Sequence, residues 1–160
     1  MTRDIHILVV DDNQENLRVV SNYLKENVYK IALAMNGRDA LKILESDPID
    51  LVLLDIMMPG MDGFEVCLKM KENKDFKDIP VIFLTAKTET EDIVKGFQTG
   101  GVDYITKPFR KEELLARVRT HIELKLMRDY FKNQAEESKE SRNNMMKMML
   151  DFGKLLDPCK

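Results

Sequence analysis

No stretch of this 160-residue chain approaches the ~18 consecutive apolar residues that a membrane-spanning helix needs. Met1-Thr2-Arg3-Asp4 does not open a secretory signal, so a cytoplasmic protein is expected. There are only two cysteines, Cys67 and Cys159, and neither sits in a CxxC pair. That excludes a disulfide framework and fits a reduced compartment. His6 falls inside the first apolar run and His121 on the last helical one, with no ligand spacing between them, which argues against zinc. Neither GxxxxGK[ST] nor GxGxxG occurs, so both glycine-rich phosphate fingerprints are missing. Basic residues are not in excess: 25 Lys and Arg face 28 Asp and Glu, for a net charge of −3 and a pI near 5.5. The balance gives no footing for nucleic acid or a membrane surface. What remains is 44% hydrophobic and 33% charged, enough chain for one domain with length to spare.

The residues that are present alternate between two patterns. Ile5–Val10 is a short β-branched strand, followed by the polar cluster Asp11-Asp12-Asn13, suited to a turn and a helix cap. Leu17, Val20, Leu24 and Val28 recur at helical spacing. Tyr29–Ala34 predicts a second strand, and Gly37–Ser46 a second helix with Ala40, Leu41 and Leu44 inward. The run LVLLD, Leu51–Asp55, has the length and composition of a strand covered on both faces. Gly63–Lys71 follows as a third helix, burying Phe64, Val66, Cys67 and Met70. Val81–Thr85 is the fourth strand, Glu89–Gln98 the fourth helix, Asp103–Thr106 the fifth strand, and a last helix starts near Arg110. Five strands alternating with helices predict an α/β fold with a doubly wound five-stranded parallel sheet.

In such sheets ligands bind beyond the carboxyl ends of the strands, near the switch in strand order. The first strand ends at Asp11-Asp12, the third at Asp55, the fourth at Thr85 and the fifth at Lys107. Three carboxylates, one hydroxyl and one ammonium should therefore share one edge. Crowded carboxylates repel and raise one another's pKa unless a cation joins them. Mg²⁺ accepts one or two carboxylates, keeps waters and is commonly completed by a phosphate oxygen. Carboxylates also form aspartyl-phosphates, and a metal with a lysine suits a phosphoryl group in transfer. Asp55 thus has the makings of a phosphate acceptor.

These residues make the sequence resemble the receiver domain of two-component response regulators. The match runs through Asp11-Asp12, Asp55 with MMPGMDG behind it, Thr85-Ala86 and Lys107-Pro108, and covers about residues 4 to 122. The resemblance implies a flavodoxin-like receiver over residues 1–124. Asp55 would be the phosphoacceptor, taking phosphate from a sensor histidine kinase or a histidine phosphotransfer protein. Mg²⁺ would sit on Asp11, Asp12, Asp55 and the backbone carbonyl of Met57. Thr85 would move toward the phosphoryl group and Lys107 would pair with it. Tyr104 would be the aromatic switch that follows Thr85, and the Lys107–Pro108 bond would be cis. Met57 and Lys87 fall where such domains vary, and are expected to tune the lifetime of the phosphate. The protein would be a switch that assists its own phosphorylation and dephosphorylation, not a turnover enzyme.

Taken singly, each residue has an ordinary structural role. Asp11 and Asp12 would cap a helix, Thr85 would be a structural hydroxyl, Lys107 a solvated charge and Tyr104 a core aromatic. Pro59, Gly60 and Gly63 would simply build a turn. Convergence on one edge decides against these. Two alternatives stay open. A Mg²⁺-dependent phosphohydrolase would also use an aspartyl-phosphate, but such enzymes favour an acid two residues past the nucleophile, where this chain has Met57. A constitutive scaffold would need no phosphate at all.

Residues 125–160 are different. From Lys125 onward eight Lys and Arg meet six Asp and Glu, leaving −5 for the first 124 residues. The segment is too short for a winged-helix domain, so direct DNA binding is not expected. Leu124, Met127, Phe131, Gln134, Ser138, Ser141, Met145, Met148, Phe152 and Leu155 step by three and four in alternation. That is a heptad seam, apolar at both ends and polar in the middle. It predicts that the last helix continues to about Leu150, as a coiled coil that joins two copies in parallel, with a frayed or folded-back tail as the alternative. A seam of this kind after a receiver resembles a signalling helix leading to a further domain, such as a cyclic-dinucleotide enzyme or a hybrid kinase. A stand-alone regulator acting by contact is equally compatible with it.

Overall fold

The computed structural model describes residues 3–86 and 90–155. Five strands and five helices alternate along the chain: β1 Ile5–Val10, α1 Gln14–Lys25, β2 Tyr29–Ala34, α2 Gly37–Ser46, β3 Leu51–Asp55, α3 Gly63–Glu72, β4 Val81–Thr85, α4 Thr90–Gln98, β5 Asp103–Thr106 and α5 Lys111–Leu155. The strands form one sheet in the order β2-β1-β3-β4-β5, every neighbouring pair parallel. The doubly wound α/β prediction holds. All five strands fall on the predicted residues; β1, β3 and β4 are short apolar runs, and the edge strands β2 and β5 are mixed.

Alternation of side chains across the sheet produces two cores. Leu8, Val10, Val52, Leu54, Val81 and Phe83 face one side, where Ala40, Leu44, Val66 and Met70 of α2 and α3 cover them. Ile7, Val9, Leu51, Leu53, Ile82 and Leu84 face the other, under Leu17, Val20 and Leu24 of α1 and Leu114, Val118 and Ile122 of α5. Every residue of β3 and β4 is buried, whereas the edge strands β2 and β5 are only partly covered. Central strands sandwiched between helix layers can therefore be continuously apolar.

Helix starts are set by side-chain caps. The carboxamide oxygen of Asn13 accepts the N–H groups of Glu15 and Asn16, Asn36 accepts that of Asp39, and Asp62 accepts that of Glu65. Three expectations need correcting. Val28 does not continue the inward stripe of α1: the helix ends at Lys25, a turn closes through Asn27 N–H to the Leu24 carbonyl, and Val28 is 90% exposed. α3 runs one residue past Lys71, to Glu72. α5 extends to Leu155, beyond the predicted Leu150, since Gly153 costs a helix only about 1 kcal/mol and no proline precedes it. The start of α4 at Glu89 and the thiol of Cys159 lie outside the described residues.

The chain divides into two compact units, the first ending at Lys125 and the second beginning at Leu126. Within the first, the end of the sheet opposite Asp55 is fastened by Asp50, which is 3% exposed. Its carboxylate accepts the backbone N–H of His6 at 2.9 Å and the guanidinium of Arg3, and lies 3.7 Å from the Lys125 ammonium. Asp50→Ala would leave the His6 amide and the nearly buried Lys125 without this acceptor. A loss of about 1–3 kcal/mol is expected in urea denaturation; an unchanged midpoint would show that the cluster contributes nothing net.

Candidate functional site

The strand order reverses at β1, which lies between β2 and β3. Asp11 follows β1, and Asp55 closes β3 directly alongside it, so both carboxylates stand at the reversal point. Asp11 is fully buried, Asp55 is 3% exposed and Asp12 is exposed at the mouth. Oxygen atoms of the three carboxylates lie within 4.8 Å of one another. Lys107 reaches in from beyond β5, with its ammonium 3.0 Å from Asp11 Oδ2 and 3.0 Å from Asp55 Oδ1. Its backbone N–H donates to the Thr85 carbonyl at 2.8 Å, which fixes the end of β5 against the end of β4. The Lys107–Pro108 bond is cis, as the resemblance implied.

Asp11 and Asp12 are not the cap of α1, because Asn13 fills that role. Asp11 is instead oriented from behind: Asn13 N–H donates to Oδ1 at 2.9 Å and the Asn16 amide donates to Oδ2 at 3.2 Å. Thr85 is 3% exposed and borders a cavity of about 10 Å³ that it shares with Ile56, Phe83, Gly96, Phe97 and Tyr104. Tyr104 packs edge-on against Phe97, ring centroids 6.4 Å apart, with the Arg117 guanidinium 5.9 Å from its own ring centroid. Met57 sits two residues past Asp55 and is 61% exposed. Lys87 lies outside the described residues.

Electrostatics follow from this crowding. Burial pushes the Asp55 carboxyl up from 3.8 to about 6, the Lys107 hydrogen bond opposes it, and Asp11 and Asp12 add to the rise. Burial alone would lower the Lys107 ammonium, but hydrogen bonds and charge from Asp11 and Asp55 prevail and hold it above its usual value. Three carboxylates against one ammonium leave an excess of two negative charges. A divalent cation would balance that excess, and an all-oxygen donor set fits a hard ion such as Mg²⁺.

Three contributors escaped the sequence. Gly63 opens α3 so close to β3 that an added Cβ would lie 2.2 Å from the Asp55 carbonyl oxygen and 2.9 Å from Ile56 Cα. It is thus a close-approach residue and not merely part of a turn, whereas Gly60, at φ +79°, does serve the turn. Asn16 was hidden among polar helix residues. Asp103, at the start of β5, accepts from Arg117 at 2.8 Å and lies 3.0 Å from His121 Nε2. Burial would raise the Asp103 carboxyl, yet His121, the Tyr104 N–H and Arg117 together hold it below the usual range. The i,i+4 spacing of Arg117 and His121 was the available signal.

Comparison with known proteins agrees with this geometry. The family model of the response regulator receiver domain matches residues 7–119. A protein of Vibrio cholerae named as a probable cyclic di-GMP phosphodiesterase is 47% identical over 128 residues, 80% of this chain and 29% of its own length. The response regulator PleD of Caulobacter vibrioides is 42% identical over 123 residues, 77% of this chain and 27% of its own. The chain therefore spans less than a third of either relative. Among solved structures, the chemotaxis protein CheY4 of Vibrio cholerae superposes with a TM-score of 0.71 at 30% identity, covering 74% of this chain and 98% of that one.

The raised Asp55 carboxyl carries a stability prediction. In metal-free protein the folded state retains this proton where the unfolded chain has lost it. The contribution of Asp55 to stability therefore declines as pH rises from about 4 to about 6 and is level above that. Asp55→Asn removes the cost of ionising the site. In EDTA at about pH 7.5 the variant should be more stable by about 1–3 kcal/mol, a gain that closes below about pH 4. An equal or lower melting temperature for the variant at the higher pH would contradict this account.

Proposed function

The chain belongs to the response regulator receiver family, and from that premise we propose that Asp55 is its phosphoacceptor. The observation that carries the assignment is the buried Asp55 carboxylate, flanked by Asp11 and held 3.0 Å from the Lys107 ammonium. A carboxylate oxygen of Asp55 attacks the phosphorus of a phosphohistidine on a sensor kinase or phosphotransfer protein. A P–O bond forms, the P–N bond breaks, and the imidazole leaves with the electron pair and takes up a proton. Lys107 neutralises charge on the transferred group, and the Thr85 hydroxyl donates to one of its oxygens. Asp11, Asp12, Asp55 and the carbonyl of Met57 would hold Mg²⁺, which when bound supplies the positive charge that lets an anionic acceptor meet an anionic donor.

Thr85 and Tyr104 border one small cavity, which supports a switch in which a displaced Thr85 lets the Tyr104 ring move inward beside Phe97. We assign residues 1–124 to the receiver and 125–160 to a helical extension. Regulation of a partner or of an attached output follows from the family. The similarity to the Vibrio cholerae protein named as a probable cyclic di-GMP phosphodiesterase makes cyclic-dinucleotide hydrolysis a candidate output for a protein of this kind. No helix among the described residues is long and apolar enough to cross a membrane.

The test is intact mass after incubation with a small phosphoryl donor such as acetyl phosphate, with and without Mg²⁺. One phosphoryl group should be gained only with Mg²⁺, should be lost in hydroxylamine, and should be absent from Asp55→Asn. Lys107→Ala should slow its gain by about a hundredfold or more. Modification that survives Asp55→Asn, or none in the unaltered protein, would overturn the assignment.

A further inference from the structure

The second compact unit contains thirty described residues of α5 with no layer packed upon them: every described side chain from Tyr130 to Lys154 is exposed. Most helical stability in proteins comes from packing an apolar face. Here such a face exists and is bare, with Met127 56%, Phe131 63%, Met145 62%, Met148 71% and Phe152 67% exposed. These residues occupy the heptad seam, and a groove along the helix is lined by its members Ser141, Met145, Met148 and Phe152. The groove follows the C-terminal part of the seam.

The seam alone leaves chain direction open. It is apolar, then polar through Gln134, Ser138 and Ser141, then apolar again. A parallel and an antiparallel pair would therefore both match like with like. The flanking charges decide. With Leu124 taken as position a, the charged g positions are Glu123, Glu137 and Asp151 and the charged e positions are Arg128 and Arg142, while Tyr130, Asn144, Ala135 and Met149 fill the rest. An antiparallel pair sets g against g and e against e, acid on acid and base on base. A parallel, in-register pair sets g against the e position five residues on in the other copy. That places Glu123 opposite Arg128 and Glu137 opposite Arg142, each pair made twice by symmetry.

We propose that the exposed face of α5 is the interface of a parallel, in-register coiled coil with a second copy of this chain, oriented by the Glu123–Arg128 and Glu137–Arg142 pairs. Glu123 is also held by Arg119 within its own helix, at 3.0 Å, so Glu137–Arg142 is the cleaner orienting pair. The polar centre makes the association moderate and fixes the register, because a one-heptad slip would set Ser141 against Met148. None of this depends on phosphate chemistry at Asp55, and it stands or falls separately.

The experiment uses the full chain carrying Cys159→Ser, with Met127→Cys or Met148→Cys added one at a time. These positions are three heptads apart, about 31 Å along the helix. Under mild oxidation both variants should form a symmetric disulfide with their own kind, whereas Asn143→Cys on the outer face should not. An antiparallel pair can join like positions only near its two-fold axis, so self-coupling at one site and not the other overturns the proposal. In sedimentation of the cysteine-intact chain, Arg142→Glu should weaken dimerisation about tenfold, and adding Glu137→Arg should restore it. A monomer at hundreds of micromolar, or a swap that fails to restore association, also overturns it.

Discussion

One ammonium holds two buried carboxylates together. Lys107 lies 3.0 Å from both Asp11 and Asp55, which are almost wholly withdrawn from water. Neither carboxylate would be tolerable there alone, since an unpaired buried charge costs several kcal/mol and its neighbour's repulsion adds to that. The rest of the receiver can be understood as what delivers these three side chains to one point. β1 and β3 must be adjacent, which requires the order reversal that places β1 between β2 and β3. β5 must be the edge strand two places from β3, so that Lys107 can lean across the end of β4. The hydrogen bond from Lys107 N–H to Thr85 oxygen holds that approach in place.

The same arrangement leaves the site under-neutralised. A single lysine among three carboxylates stabilises the fold enough to form it and leaves a deficit of positive charge at the mouth, on the side of exposed Asp12. A site balanced by protein cations alone would have little reason to bind a divalent ion or to welcome an anionic donor. Here the electrostatic cost retained in the free protein, seen in the raised Asp55 carboxyl, is what the proposed metal and phosphoryl chemistry would relieve. Gly63 contributes from the backbone, letting α3 begin within van der Waals reach of the Asp55 carbonyl where any side chain would intrude.

Much of this was legible in the sequence because short, β-branched-rich apolar runs bounded by turn residues favour covered strands over helices. Strand ends are where sequence position and spatial position coincide, so Asp11, Asp55, Thr85 and Lys107 could be gathered on one edge from spacing and topology. Side-chain partners within helices were not legible. Asn16 and His121 owe their roles to the rotation of α1 and α5 against the sheet, which depends on packing across the whole layer. Val28 misled because helical spacing persists for one residue beyond a turn that only the Asn27–Leu24 hydrogen bond reveals. Gly63 misled for another reason: glycine in a turn motif and glycine at a close approach look identical until the neighbouring backbone is in place.

The two compact units answer to different physics. The receiver has a sandwiched sheet with two cores, so its stability is internal and independent of concentration. The described helical residues beyond Leu126 bury almost nothing, and the proposed pairing would supply the apolar contact they lack. A helix that depends on association is coupled by mass action to whatever changes the local concentration or orientation of its partner. Strong apolar packing along the whole seam would hold the helix paired in every state, and a wholly polar seam would never pair it. In the proposed coiled coil, Gln134, Ser138 and Ser141 between two apolar ends would set the interaction between those limits.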